Sequence, residues 1–240
     1  MSVDRPRLKL LHTADVHIGD DYDPARRLKG FASVVDAAIA NQVHALLIVG
    51  DLFDNARVKQ PDITATLEQL ARLTAPVIIT SGNHDTIDPN SVYKRVPFSE
   101  VGQHIYFMDD PEGQHLDLPD LKLSIWCRSM VEHHPGNRPL AGYRRALNRH
   151  WRVVLAHGHF VPEDEQSDRS SPIQQAELAG LDAHYVALGH WHRFLDCTVG
   201  NVPAFYPGSP SEAGGTFASA NLVTLDPKHG TKVERVPTLT

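Results

Sequence analysis

Five short apolar runs recur along the chain, and each ends abruptly in polar residues. Leu8–Ala14 (LKLLHTA) runs into Asp15-Val16-His17, Ala45–Val49 (ALLIV) into Gly50-Asp51, and Pro76–Thr80 (PVIIT) into Gly82-Asn83-His84-Asp85. Arg152–Ala156 (RVVLA) runs into His157, and Tyr185–Leu188 (YVAL) into Gly189-His190. Runs of this length, rich in β-branched residues and closed by glycine, predict strands buried on both faces. Leu28, Phe31, Val34, Val35, Ala38 and Ile39 recur at helical spacing, which predicts a helix over Pro24–Asn41 with proline in its first turn. Ile63, Leu67 and Leu70 predict a second helix over Pro61–Leu73. Strand–helix–strand–helix–strand in this order predicts parallel pairing through right-handed crossovers.

The second half mixes strand candidates (Leu121–Trp126, Ala204–Tyr206, Asn221–Leu225, Lys232–Val236) with Gly/Pro-rich turns, and a helix is expected over Pro139–His150. No repeat, low-complexity block or linker divides the chain, so residues 1–240 are expected to form a single α/β domain.

Composition adds mainly exclusions. The 240 residues are 41% hydrophobic and 22% charged, as in an ordinary soluble globular protein. No run approaches the roughly 18 apolar residues of a membrane span. Met1–Arg7 lacks the apolar core of a signal peptide, so the expected location is cytoplasmic, away from membranes. Cys127 and Cys197 sit in no paired motif and read as reduced, partly buried thiols. A net charge of −6 gives no general attraction to nucleic acid, although metal ions could supply positive charge locally.

With 15 histidines, about one His-x-His pair is expected by chance, so neither His157-Gly158-His159 nor His190-Trp191-His192 is evidence alone. The set is different. In open α/β sheets function gathers at the carboxyl ends of strands, and here those ends carry Asp15, His17, Asp51, Asn83, His84, His157, His190 and His192. Carboxylate, imidazole and amide donors without thiolate suit Mn, Fe or Zn. Their number exceeds the needs of one ion, so two divalent ions sharing a carboxylate are expected. Two such ions polarise a phosphoryl group and lower the pKa of a water between them. That chemistry is phosphoester hydrolysis.

Asp15-x-His17, Gly50-Asp51-x-x-Asp54, Gly82-Asn83-His84-Asp85, His157 after its strand, and Gly189-His190-x-His192 resemble, in order, the five motifs of the calcineurin-like metallophosphoesterases. The stretches HTADVHIG, VGDLFD, SGNHD, ALGHWHR and YPGSPSE look most like the SbcD-type DNA-repair nuclease branch. The resemblance implies a four-layer α-β-β-α sandwich, two mixed β-sheets packed together with helices outside. It further implies that Asp15, His17 and His192 hold one metal and Asn83, His157 and His190 the other, with Asp51 bridging. His84, paired with Asp54, would then contact the phosphate and protonate the leaving oxygen. The implied metal is manganese first, with iron or zinc as alternatives, and the implied substrate a phosphodiester such as DNA. The alternative activities on this core are phosphomonoesterase and cyclic-nucleotide phosphodiesterase. A non-catalytic scaffold is disfavoured because every ligand position is filled.

SbcD-type nucleases carry more chain after this core, including a capping region and a segment that docks an SbcC-type ATPase. This sequence stops at Thr240, so neither a capping domain nor that partner is expected. His159, two residues beyond His157 in a strand, shares its face and is kept as a candidate substrate contact. Arg128 and Arg193, near predicted strand ends, are candidate phosphate contacts. Trp191 is expected to point away into packing. Arg138, Arg144, Arg145, Arg149 and Arg152 read as the solvated face of the Pro139–His150 helix rather than as a nucleic-acid contact. Glu163–Asp168 reads as an acidic loop, and Tyr206–Pro210 as a turn bordering the site. The remaining histidines, His12, His133 and His184 among them, are assigned ordinary surface or packing roles.

Overall fold

The computed structural model describes residues 5–163, 165, 167–212 and 218–239. Asp164 and Gln166 of the expected acidic loop lie outside the described residues. Strands β1 (Leu8–Thr13), β2 (Ala45–Val49), β3 (Val77–Thr80) and β4 (Ile105–Met108) alternate with helices α1 (Pro24–Ala40), α2 (Gln60–Leu70) and α3 (Phe98–Val101). Strands β5 (Gln114–Leu118), β6 (Leu123–Cys127), β7 (Trp151–His157), β8 (His159–Val161) and β9 (Pro172–Gln174) follow. The chain closes with α4 (Gln175–Ala179), β10 (Tyr185–Gly189), β11 (Phe194–Asp196), β12 (Ala204–Pro207), β13 (Ser219–Asp226) and β14 (Gly230–Pro237).

Two six-stranded sheets result, ordered β14-β13-β1-β2-β3-β4 and β11-β12-β10-β7-β6-β5, with a small β8-β9 ribbon beside them. Both are mixed. β1 to β3 run parallel, as the alternating pattern predicts, β4 extends them in parallel, and β13 joins β1 antiparallel. In the second sheet β6, β7, β10 and β12 are parallel, and β5 and β11 lie antiparallel at the edges.

Three apolar clusters explain the layering. Phe31, Val34, Val35 and Ala38 of α1 and Ile63 and Leu70 of α2 pack on Leu11, Leu46 and Ile48 of the first sheet. Leu10, Leu47, Val49 and Ile78 meet Ile125, Val153, Leu155 and Ala187 between the sheets. Trp126, Val154, Val186 and Leu188 face outward under Leu178 of α4. Because alternate residues of β2 and β7 feed different clusters, both strands are apolar on both faces, hence their unbroken hydrophobic runs. Asp23 caps α1, its carboxylate accepting the Arg26 N–H at 3.1 Å with Pro24 next in line.

The layer outside the second sheet departs from expectation. No helix forms over residues 139–150: the segment is turns and bends, and Gly142 takes a φ of +81° that ends any helical run. The five-residue α4 is the helical part of that layer. Both cysteines are free and buried, as expected. Among the described residues no helix is long and apolar enough to cross a membrane.

Candidate active site

The carboxyl ends of β1, β2, β3, β7 and β10 converge on one rim, and the backbone there is bent to present side chains. Asp15, His17, Asp51 and His190 have φ values of 55°, 56°, 52° and 110°. Non-glycine residues avoid this region, at a cost of order 1–3 kcal/mol each, unless the surroundings fix them. Here they do. The His190 N–H donates to both carboxylate oxygens of Asp15 at 3.0 Å. Val16 and His17 N–H groups donate to the Asp51 carbonyl at 2.8 and 3.0 Å, and the His84 N–H donates to Asp51 Oδ1 at 2.8 Å. Asp85, fully buried, accepts the N–H groups of Gly82, Asp51 and Phe53 and the Tyr93 hydroxyl, at 2.6–3.1 Å.

Glycines bring the two sheets together at this rim. A Cβ on Gly189 would sit 2.0 Å from the Val49 carbonyl oxygen and 2.7 Å from His157 Nδ1. That closeness lets His157 Nδ1–H donate to Val49 O at 2.9 Å, from one sheet to the other.

All seven residues expected as ligands meet. Asp15, His17 and His192 form one group, with candidate ligand atoms within 4.8 Å of one another. His157 Nε2 and His190 Nδ1 lie 3.0 and 2.8 Å from Asn83 Oδ1. Asp51 Oδ2 stands between the groups, 3.9 Å from His17 Nε2 and 3.3 Å from His157 Nε2.

The tautomers show what this arrangement suits. His17 Nδ1 bonds the Asp54 carboxylate at 3.1 Å, and His192 Nδ1 bonds the Glu212 carboxylate at 3.0 Å. Both Nδ1 atoms therefore carry the proton, so both Nε2 atoms turn lone pairs toward each other at 3.1 Å. His157, its Nδ1–H engaged by Val49, turns Nε2 toward Asn83 Oδ1 and Asp51 Oδ2, two further acceptors. Facing lone pairs repel unless a proton or a cation lies among them. Burial opposes charge on His157, but the adjacent Asp51 carboxylate outweighs it and pushes the imidazole up to about 10. Burial likewise opposes charge on His17, yet Asp54, Asp51 and Asp15 raise it. Burial and then repulsion by His157 push His190 down to about 3, while burial raises Asp15. Protons thus occupy positions that the donor chemistry suits to divalent cations.

His84 stands at the open edge, its ring 4.6 Å from that of His17 and its side chain 44% exposed. Its pairing with Asp54 differs from the expected one. Nδ1 bonds the main-chain carbonyl of Asp54 at 2.9 Å, while the carboxylate, 3.7 Å away, serves His17.

The remaining candidates scatter. His159 is buried and stacks on Trp191, whose Nε1–H donates to His159 Nδ1 at 3.1 Å. Trp191 packs against the outer cluster of the second sheet, as expected. Arg193 lies over the Trp191 ring at 4.4 Å, and Arg128 bonds the carbonyls of Pro111 and Arg138. Three residues near the site escape the motif reading. Glu212 orients His192, Asp85 ties the loops, and His133 brings its ring 5.5 Å from His190 with Nδ1 on Ser171 Oγ. Glu212 closes the YPGSPSE stretch, and Asp85 lies inside GNHD, so both were within reach of the sequence.

This fold and this rim of carboxylates, imidazoles and amide define a metal-dependent phosphoesterase. A sequence model of the calcineurin-like phosphoesterases matches residues 8–194, and the chain belongs to that family, whose members bind two divalent metals. It is 28% identical to the SbcD polypeptide of the nuclease SbcCD from Bacillus subtilis (strain 168), over 93% of its own length and 67% of that protein. It is 37% identical to the DNA double-strand break repair protein Mre11 of Aeropyrum pernix, over 83% of this chain and 53% of that one. The chain thus spans about half to two thirds of the length of these curated relatives. Among solved structures, TT1561 of Thermus thermophilus shares the fold with a TM-score of 0.61 at 14% identity, covering 98% of this chain and all of that one.

Proposed function

We propose that this chain hydrolyses phosphodiesters of nucleic acid, as a nuclease of the kind its SbcD and Mre11 relatives are named for, with Mn²⁺ as the metal. In this reading Asp15, His17 and His192 hold one ion, Asn83, His157 and His190 the other, and Asp51 reaches both. Two bound ions supply Lewis acidity at the phosphoryl oxygens and a nucleophile at neutral pH. The mixed oxygen and imidazole donors, with no thiolate, suit manganese, with iron or zinc as alternatives.

The observation that carries the reading is His84. Its ring stands outside the two proposed donor groups, although it shares a third cluster with His17 and Asp54, and its Nδ1 is tethered to the Asp54 carbonyl at 2.9 Å, which leaves Nε2 to face substrate. A protonated Nε2 can hold a phosphate oxygen and give its proton to the departing alkoxide. Asp54 supports this from two atoms, fixing the His84 ring with its carbonyl and the His17 tautomer with its carboxylate. The side chains of His84 and His192, 44% and 40% exposed, leave the rim open to a polymeric substrate. No ATPase partner enters the proposal.

The test is side-by-side hydrolysis, with Mn²⁺ added, of bis-p-nitrophenyl phosphate, p-nitrophenyl phosphate and single- and double-stranded oligonucleotides. The diester and an oligonucleotide should be cut, and chelation should abolish both activities. Hydrolysis of the monoester alone would overturn the nuclease reading.

A further inference from the structure

The arginine-rich segment that fails to form a helix folds instead around a pocket at the opposite end of the second sheet. The start of β7, the residue before β10 and the residues before β1 meet there. The seven residues of β7 span about 20 Å at roughly 3.3 Å per residue, which separates this pocket from His157. The cavity, about 350 Å³, is lined by Arg5, Arg145, Asn148, Arg149, Arg152 and His184.

Donors outnumber acceptors here. The Arg152 main-chain N–H donates to His184 Nδ1 at 2.9 Å, so the ring proton of neutral His184 lies on Nε2. That Nε2 lies against Arg5 Nη1. Arg5 Nε is buried with no partner among the described residues. The Arg5 guanidinium is held over the Trp151 ring, 4.2 Å from its centroid, which fixes its direction. Burial, then Arg5 and Arg152, push His184 down to about 4, so the ring adds no positive charge of its own at neutral pH. Asp182 is the one carboxylate ion-paired with these arginines among the described residues, and it is engaged by both Arg145 and Arg152. Four guanidinium groups against one carboxylate leave a local excess of positive charge in a chain whose net charge is −6.

We propose that this pocket is a phosphate-binding site distinct from the metal-donor rim, taking a phosphate group of a nucleotide or of a polynucleotide backbone. A multiply charged tetrahedral anion supplies acceptors for the surplus guanidinium N–H groups of this pocket, where Arg5 Nε has no partner among the described residues. The guanidinium forks of Arg145 and Arg149 suit its outer oxygens. The inference does not depend on the nuclease reading.

The test is calorimetric titration of the metal-free full chain, in chelator, with sodium pyrophosphate and separately with a short single-stranded oligonucleotide. The variants are Arg149→Glu, at an exposed position, and Arg5→Ala. Folding is checked by Mn²⁺-dependent hydrolysis of bis-p-nitrophenyl phosphate, which should be unchanged. Binding at least tenfold weaker in both variants supports the site. Pyrophosphate binding alone assigns it to small phosphates, and oligonucleotide binding with the same sensitivity assigns it to a strand. No binding of either probe, or binding indifferent to both substitutions, overturns the proposal. Wild-type chain inactive on the diester would count against the nuclease reading and leave the titration result standing.

Discussion

Asp54 serves two imidazoles with two different atoms, and the division predicts separable defects. His84→Ala removes a ring held by the Asp54 carbonyl and packed edge-on against His17, but one whose side chain hydrogen-bonds none of the candidate ligands. Both metals should remain bound, by elemental analysis, while turnover falls by about 10²–10⁴-fold; loss of a metal would contradict the assignment. Glu212→Ala removes the carboxylate that sets the His192 tautomer. Metal affinity should fall by about 10–100-fold, with His84 chemistry intact once metal is saturating. The seven candidate ligands were legible because each closely follows an apolar run. Glu212 and Asp85 lie within motif stretches, but their roles were not legible, because their partners are a candidate ligand and the main chain, contacts that no spacing in the sequence encodes.

At the scale of elements, the rim depends on how closely β10 approaches β2. Gly189→Ala would set a Cβ against the Val49 carbonyl and His157 Nδ1, breaking the bond that fixes the His157 tautomer. The expected outcome, measured by metal titration, is loss of one of two ions or at least tenfold weaker binding, with lowered thermal stability. Strands buried on both faces and the two long helices could be read from the sequence, because burial imposes a period. β4, β5, β8, β9 and β11 could not. They are three to five residues long, and β5 (QHLDL) is half exposed at a sheet edge. Over residues 139–150 the arginine-rich composition resembles a helix, but Gly142 at φ +81° and the pull of Asp182 on Arg145 and Arg152 bend it into loops.

For the whole molecule, the buried histidines predict how stability of the metal-free protein varies with pH. His157, raised from 6.5 to about 10 beside Asp51, adds stability that is complete below pH 6.5 and is lost as pH climbs toward 10. His12 and His190, lowered to about 3, and His184, lowered to about 4, act oppositely. The unfolded chain takes up their protons first, so stability falls as pH drops below 6.5. Denaturant unfolding of metal-free protein should therefore show a maximum near pH 6.5. Mn²⁺ should flatten the alkaline limb, because a cation replaces the proton on His157.

In the proposed site His190 and His192, one residue apart, bind different ions joined by Asp51. Anomalous diffraction from crystals soaked in Mn²⁺ tests it most directly. Two peaks about 3.5–4 Å apart are expected, one contacted by His192, His17 and Asp15, the other by His190, His157 and Asn83, with Asp51 touching both. A single peak, or both histidines on one ion, would contradict it.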